Sequence, residues 1–429
     1  MNISKKFLVL FTLFFLFSSN ITFADPNADL RSAYQRKDYR TVFRIASEFA
    51  KKGDPAGEYI LGELYSQGAG VKKNLWTAGQ WYKKAAAKNH PLAMYALGLM
   101  YATGQGAKKN LWTAGQWYKK AAAQNHPIAM YALGSMHATG QGAKKNLKLA
   151  FQLYTKAAAA GLPDAYRGLG IMYEKGHGTK KNMGTAIYWY EKAANKGITD
   201  VQIMLSERFL YGTGVKRNFN KAFQYAKKAE KSGHPGVHYL LGLMYANGLG
   251  TKKNPYLAFK NMKIAADKKM IPAYYSLGAM YIKGLGVKKN PYHAFNWFKK
   301  AAEKNIPLAQ HNLGLMYLEG RGTKKNPYHA FQWLSKSAKK GLPASMFLLG
   351  DLYVDGIGIK KNYGQALAWY RKAAKAGVPL AIYSVGAMYA NGYGVKRDLR
   401  QARIWFEKAA KKNVPAAKKA LQRLNAAGK

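Results

Sequence analysis

Cysteine is absent from all 429 residues. That excludes disulfides, thiol catalysis, cysteine metal sites and a lipid-modified N-terminal cysteine, so packing alone must hold the fold. Acids are scarce as well: 20 Asp and Glu face 69 Lys and Arg, a formal charge of +49. From Leu64 to Pro163 there are 13 lysines and no Asp or Glu at all. Long apolar runs are missing except near the start, where Phe7 to Phe17 is broken only by Thr12. Lys5 and Lys6 precede that run, and the small residues Thr22 and Ala24 follow it. This is the pattern of a secretory signal peptide over residues 1–24, cleaved after Ala24. The run is too short for the ~20 residues a spanning helix needs. The mature chain is therefore expected to be exported, periplasmic or secreted, with no transmembrane segment. Its apolar fraction of 48% is ample for a core, so the charge does not signal disorder.

What is present is a period. Gly-x-Gly occurs at Gly68/Gly70 and recurs every 36 residues, ten times, to Gly392/Gly394 without insertion or deletion. Repeats of this length mean stacked supersecondary units. Each unit contains two helical patterns. The first, "PLAMYALGLMYATG", places Ala93, Leu97, Met100 and Tyr101 on one face. Gly98 within it recurs in nine units and is expected to let helices approach closely, since a mid-helix glycine otherwise costs about 1 kcal/mol. The second, "NLWTAGQWYKKAAAKN", places Ala78, Trp81, Tyr82 and Ala85 together. Trp81, Trp117, Trp189, Trp297, Trp333, Trp369 and Trp405 share one position and read as a core stripe. The first glycine of each pair suits a left-handed helix end, Asn74 and its equivalents suit the next N-cap, and Pro255, Pro291 and Pro327 suit its first turn.

The pattern A-x-x-x-L-G-x-M-Y-x-x-G-x-G-V-K-K-N-x-x-x-A-x-x-W-Y-x-K-A-A resembles the Sel1-like repeat, a relative of the tetratricopeptide repeat. The resemblance implies an all-α, right-handed α-solenoid of about ten 36-residue helix-turn-helix repeats that binds proteins through its concave face. Such repeats occur widely in exported bacterial proteins, including enhanced-entry proteins of intracellular pathogens. The expected organisation is signal peptide 1–24, N-terminal capping helices 25–52, ten repeats over 53–414 and a C-terminal capping helix over 415–429. Protein recognition is expected at exposed positions beside Met94 and Tyr95. Three substitutions break the pattern, Ser206 for glycine, Phe209 for tyrosine and Asn261 for the aromatic at the Trp81 position, and they read as a kink, a contact or drift, with drift favoured.

Chemistry is sparse. The Gly-x-Gly loops follow helices and lack both the third glycine of a dinucleotide fingerprint and G-x-x-x-x-G-K-[ST]. His90, His126 and His234 share a turn position, and His293 and His329 share a helix position. His234 and His238 have the i, i+4 spacing of a metal face, but Pro235 and Gly236 intervene and no carboxylate completes the set. No H-E-x-x-H, G-x-S-x-G or acid pair on one helix face is found. Neither enzyme, metal nor cofactor is expected.

The basic residues form two groups. Lys83/Lys84, Lys119/Lys120, Lys299/Lys300 and Arg371/Lys372 lie toward the ends of second helices, where cations suit the helix dipole and solvate the surface. The loop pairs are different. Lys72/Lys73, Lys108/Lys109, Lys144/Lys145, Lys180/Lys181, Lys216/Arg217, Lys252/Lys253, Lys288/Lys289, Lys324/Lys325, Lys360/Lys361 and Lys396/Arg397 precede the second helices, where local stability prefers acids. Folding is not expected to need them. They are expected to line one edge, roughly 10 Å apart by helix-packing distances, as an anion- or partner-binding ridge. The reading is an exported, non-enzymatic scaffold for acidic protein partners. The alternative is binding of anionic envelope or host polymers such as peptidoglycan, lipopolysaccharide or glycans. Nucleic acid is disfavoured by the signal peptide and by aromatics expected in the core.

Overall fold

A computed structural model describes residues 26–426, in which 23 α-helices and one 3-10 turn make up the regular structure, with no strand among the described residues. The expected signal peptide lies outside the described residues. The chain is an α-solenoid that divides into two compact units between Leu205 and Ser206. Helices Pro26–Gln35 and Tyr39–Lys51 precede the repeats, and Pro415–Ala426 follows them. Each repeat pairs two short helices, as in Pro91–Thr103 and Leu111–Ala123.

The loop between those helices follows from its residues. Gly104 takes φ 77°, and its N–H donates to the Met100 carbonyl at 2.9 Å, closing the first helix. Asn110 then binds in two directions. Its backbone N–H donates to the Tyr101 carbonyl at 2.9 Å, and its Oδ1 accepts from the Thr113 N–H at 3.0 Å. Both bonds recur in all ten repeats, with Asp398 replacing Asn in the last. The second glycine serves stacking. A β-carbon on Gly106 would lie 2.7 Å from the Leu75 carbonyl oxygen, so the loop rests on the first turn of the preceding repeat's second helix.

Gly98 has a specific partner. A β-carbon there would lie 2.5 Å from the Tyr118 ring, and the same holds for Gly62 with Tyr82 and Gly350 with Tyr370. The glycine makes room for a ring from its own repeat's second helix. This corrects the expected core stripe: the seven tryptophans are only half-buried, and the next residue, such as Tyr82, Tyr118 or Tyr190, is the buried one. The helix has turned that much further into the stack.

Two of the three pattern breaks, Ser206 and Asn261, go with changes at the equivalent partner positions rather than drift. Ser206 replaces the glycine in the repeat where Ala226 stands at the ring position, which Met262 and Leu334 fill opposite Gly242 and Gly314 in two others, and Ser206 and Ala226 are both fully buried. At Asn261, the usual aromatic contact (Tyr274 with Trp297, centroids 5.7 Å apart) becomes a hydrogen bond between Asn261 Oδ1 and His238 Nδ1 at 2.9 Å. Asn261 Nδ2 also donates to the Leu257 carbonyl at 2.9 Å, so both ends of the buried amide are used. His238 is thereby committed to the core and does not face His234 as half of a metal pair.

Candidate functional site

All twenty loop cations, from Lys72/Lys73 to Lys396/Arg397, are exposed, and none forms an ion pair with an acid among the described residues. The two members of a pair differ, however. The second lies over the glycine that closes the first helix. A β-carbon on Gly68 would meet Lys73 Cβ at 2.9 Å, and one on Gly104 would meet Lys109 Cβ at 3.2 Å. The contact recurs in every other repeat. Lys145 Cβ lies 3.4 Å from such an atom on Gly140, Lys181 Cβ 3.2 Å from Gly176 and Arg217 Cβ 3.6 Å from Gly212. Lys253 and Lys289 follow at 3.5 Å over Gly248 and Gly284, Lys325 and Lys361 at 3.4 Å over Gly320 and Gly356, and Arg397 at 3.3 Å over Gly392.

This corrects the expectation that folding makes no use of the pair. In Lys73, Lys109, Lys145, Lys181, Arg217, Lys253, Lys289, Lys325, Lys361 and Arg397 the start of the side chain packs on the loop while the residue stays exposed to water. Some of these charged heads are also engaged locally. The Arg217 guanidinium lies 5.9 Å from the Phe219 ring centre, and Lys361 Nζ lies 5.4 Å from that of Tyr363. Arg397 donates from Nε to the Ala390 carbonyl at 3.1 Å. The second members therefore serve the loop as well as the surface charge.

The helix-borne lysines do more than solvate. At each of the seven repeat tryptophans, the lysine three residues later lies over the ring, with Nζ 4.1–5.0 Å from its centre. Lys84 over Trp81 and Lys336 over Trp333 typify it. The cation covers the open face of a half-buried ring. The signal was available as W-x-x-K at i, i+3 spacing.

Exposed rings on the loop edge were missed entirely. Trp76, Trp112, Tyr256, Tyr292 and Tyr328 share one repeat position, two residues after the capping Asn, and are 57–67% exposed. The aromatics are thus not all core. The sequence signal was "NLW" or "NPY" directly after the lysine pair. Each tyrosine is held between two pairs. Tyr256 follows Lys252/Lys253, and a β-carbon on Gly286, in the loop carrying Lys288/Lys289, would lie 2.9 Å from the Tyr256 backbone nitrogen. Tyr292 under Gly322 and Tyr328 under Gly358 repeat the arrangement at 2.8 and 3.0 Å.

Positions beside Met94 and Tyr95, expected to recognise proteins, belong to a helix that is largely buried; those two side chains are only 3% and 5% exposed. His90 and His126 cap first helices, their Nδ1 atoms accepting from the Ala93 and Ala129 N–H groups at 3.4 and 3.1 Å. Each stacks on a tyrosine of the preceding repeat, Tyr59 or Tyr95, with centroids 5.0 and 5.1 Å apart. Burial pushes both imidazoles down to about 4. Glu63 lines a cleft of about 410 Å³ together with Lys73, Tyr59 and Tyr95, and accepts from Tyr82 Oη at 2.7 Å. Asp351, at the same repeat position, accepts from Tyr370 Oη at 2.6 Å. Burial raises both carboxyls above their ordinary range. No group of metal-ligating side chains occurs among the described residues, and no described helix is long and apolar enough to cross a membrane.

Comparison with known proteins gives one consistent result. The family model described as Sel1 repeat matches ten consecutive segments, from residues 55–90 to residues 379–414. Among solved structures, c5321, a protective antigen of uropathogenic Escherichia coli strains displaying an SLR fold, is 29% identical. That match covers 99% of this chain and 91% of that one, with a TM-score of 0.83. A Sel1 repeat protein from Oxalobacter formigenes is 28% identical over 76% of this chain and 93% of that one, with a TM-score of 0.60. Comparison with curated proteins gave no match.

Proposed function

The chain belongs to the Sel1-repeat family, whose members bind other proteins, and from that premise we propose that it is an exported, non-enzymatic scaffold whose loop ridge engages acidic partners. The observation carrying this reading is the set of ten cationic pairs, all exposed and none neutralised by an acid among the described residues. A single-sign field of this size repels itself and raises the local concentration of anionic partners. The stem packing of the second members needs no charge, and local head-group contacts involve only Arg217, Lys361 and Arg397 of the twenty cations. Acids would be the better neighbours for the adjoining helix starts, so local stability does not account for the charge. The run from Met1 to Ala24 supports export.

Quantitative affinity capture with the wild-type protein and a Lys288/Lys289/Lys324/Lys325→Glu variant tests the ridge. The wild type should retain a set of acidic proteins that the variant loses, with the loss matched by raising the salt. Capture of the same set by both proteins would contradict the proposal. Sequencing the N-terminus of the exported protein should find Asp25 first.

A further inference from the structure

The exposed rings give the ridge a second kind of surface. One exposed tyrosine is ordinary, since apolar atoms make up much of any protein surface. Three successive repeats carrying Tyr256, Tyr292 and Tyr328 at the same position, 64%, 62% and 57% exposed, are not explained by packing. The rings beside Tyr292 and Tyr328 are histidines of the same helices, His293 at 5.8 Å and His329 at 5.9 Å. The backbones beneath the tyrosines are fixed. Each follows a proline in the first turn, an Asn cap holds that turn with bonds of 2.9–3.0 Å, and the next loop's glycine closes over it. A backbone held this way loses little freedom on binding.

From this alternation of exposed rings on a fixed backbone and lysine pairs we infer that the ridge of the C-terminal unit is a track for an acidic β-linked polysaccharide bearing one carboxylate per disaccharide. The tyrosines stack on sugar faces and the lysine pairs meet the carboxylates. This rests on the reading of the ridge as anion-binding and adds, for this stretch, a ligand class beside acidic proteins. An acidic peptide would use the lysines and leave the rings in water. A nucleic acid strand would use both, but with its bases stacked at the ~3.4 Å spacing of a duplex strand it would pass about three nucleotides per ring, taking the roughly 10 Å of packed helices as the repeat spacing. In a β-linked glycan, successive sugars turn alternate faces, and one disaccharide brings the same face round again over a comparable length. The four pairs from Lys252/Lys253 to Lys360/Lys361 are all lysine, without the planar fork that arginine brings to phosphate. Three equivalent rungs add avidity along one chain.

The test measures binding of the full chain, at low salt, to labelled hyaluronate decasaccharide, poly-L-glutamate and oligo(dT) of matched charge. Three proteins are compared: wild type, Tyr256/Tyr292/Tyr328→Ala and Lys288/Lys289/Lys324/Lys325→Glu. The rings are exposed, so the alanine variant should keep the wild-type melting temperature, and the corresponding phenylalanine variant checks that the ring rather than the hydroxyl matters. Expected is hyaluronate binding that falls more than about tenfold in the alanine variant and survives in the phenylalanine variant. Polyglutamate binding should change less than about twofold with the rings and collapse with the lysines. Absence of hyaluronate binding, or hyaluronate affinity indifferent to the rings, overturns the glycan track while leaving the anion ridge standing. Ring-dependent oligo(dT) binding tighter than hyaluronate overturns it in favour of nucleic acid. Polyglutamate affinity unchanged by lysine reversal overturns the ridge reading itself.

Discussion

At the turn into each first helix, the N-terminal unit twice places histidine, His90 and His126, where the C-terminal unit places Met270, Ile306, Leu342 and Val378. The backbone is the same in both cases, extended at this residue with proline in the first turn. The histidines satisfy a helix N–H and stack on a tyrosine, whereas the aliphatic residues make no capping bond. His234, the histidine at this position in the C-terminal unit, is exposed. A turn can thus be held by a cap or by apolar surface, but only the cap depends on protonation. An imidazolium has no lone pair to accept the N–H bond, and it adds positive charge at a helix start.

The largest expected effect breaks the units apart by pH. Both imidazoles sit near 4, below the ordinary 6.5 that the unfolded chain would show. Between those values the unfolded state binds more protons, so stability is full above about 6.5 and falls as the pH drops toward 4. The shifts correspond to about 2–3 kcal/mol per histidine. Hydrogen-exchange protection in Pro91–Thr103 and Pro127–Thr139 should fall roughly 100-fold more than in Pro307–Glu319 between pH 7 and pH 4. His90→Leu with His126→Leu should abolish that difference.

The converse change sharpens the comparison. Ile306→His installs the imidazole one repeat beyond Tyr275, the counterpart of Tyr95. Stability of the C-terminal unit in urea should then drop by about 1–2 kcal/mol from pH 7 to pH 5, a dependence the wild-type turn lacks. A flat profile would show that the turn position alone does not confer acid sensitivity.

The half-buried carboxylates Glu63 and Asp351 act with opposite sign in both units. Glu63 and Asp351 have raised folded-state values, so the fold binds the proton more tightly and loses stability as pH rises through the carboxylate range. Glu63→Gln and Asp351→Asn should each raise stability at pH 7 by up to about 1 kcal/mol and give no gain in acid, measured by urea denaturation.

The smallest effect should be equal in the two units. Lys84→Ala and Lys336→Ala each uncover a half-buried tryptophan and should cost about 0.5–1 kcal/mol in thermal unfolding. A clear inequality would mean that the two tryptophan sites are not equivalent.

Much of the fold was legible because the repeat writes local geometry directly. A left-handed glycine, an Asn cap and a first-turn proline are each demanded by a few adjacent bonds, and all lie where the sequence puts them. What stayed hidden depends on partners brought together only by folding. Trp81 and Tyr82 are adjacent and both aromatic, and only the small rotation that seats a ring against Gly62 decides which is buried. The exchange of Ser206 with Ala226 is invisible until helices pair. The loop cations could be read from their repetition, but not the division of labour within each pair. Lys289 or Lys325 is set over its glycine by the turn of the loop, five residues on, and no pattern of residue types encodes that. Nothing in the residue type of the rings between the pairs separates them from the aromatics that pack inside. The depth of Glu63 likewise followed from packing, not from any local motif.

The central claim is that charge on the loop ridge, rather than total charge, binds anionic partners. Two variants with equal charge change separate these most directly: Lys288/Lys289/Lys324/Lys325→Glu on the ridge and Lys299/Lys300/Lys336/Lys339→Glu on second helices. Their affinities for poly-L-glutamate are to be measured across a salt series. The ridge variant should lose at least about tenfold in affinity and flatten the salt dependence, while the helix variant stays within about threefold of wild type. Equal losses in the two variants, or none in the ridge variant, would contradict the account.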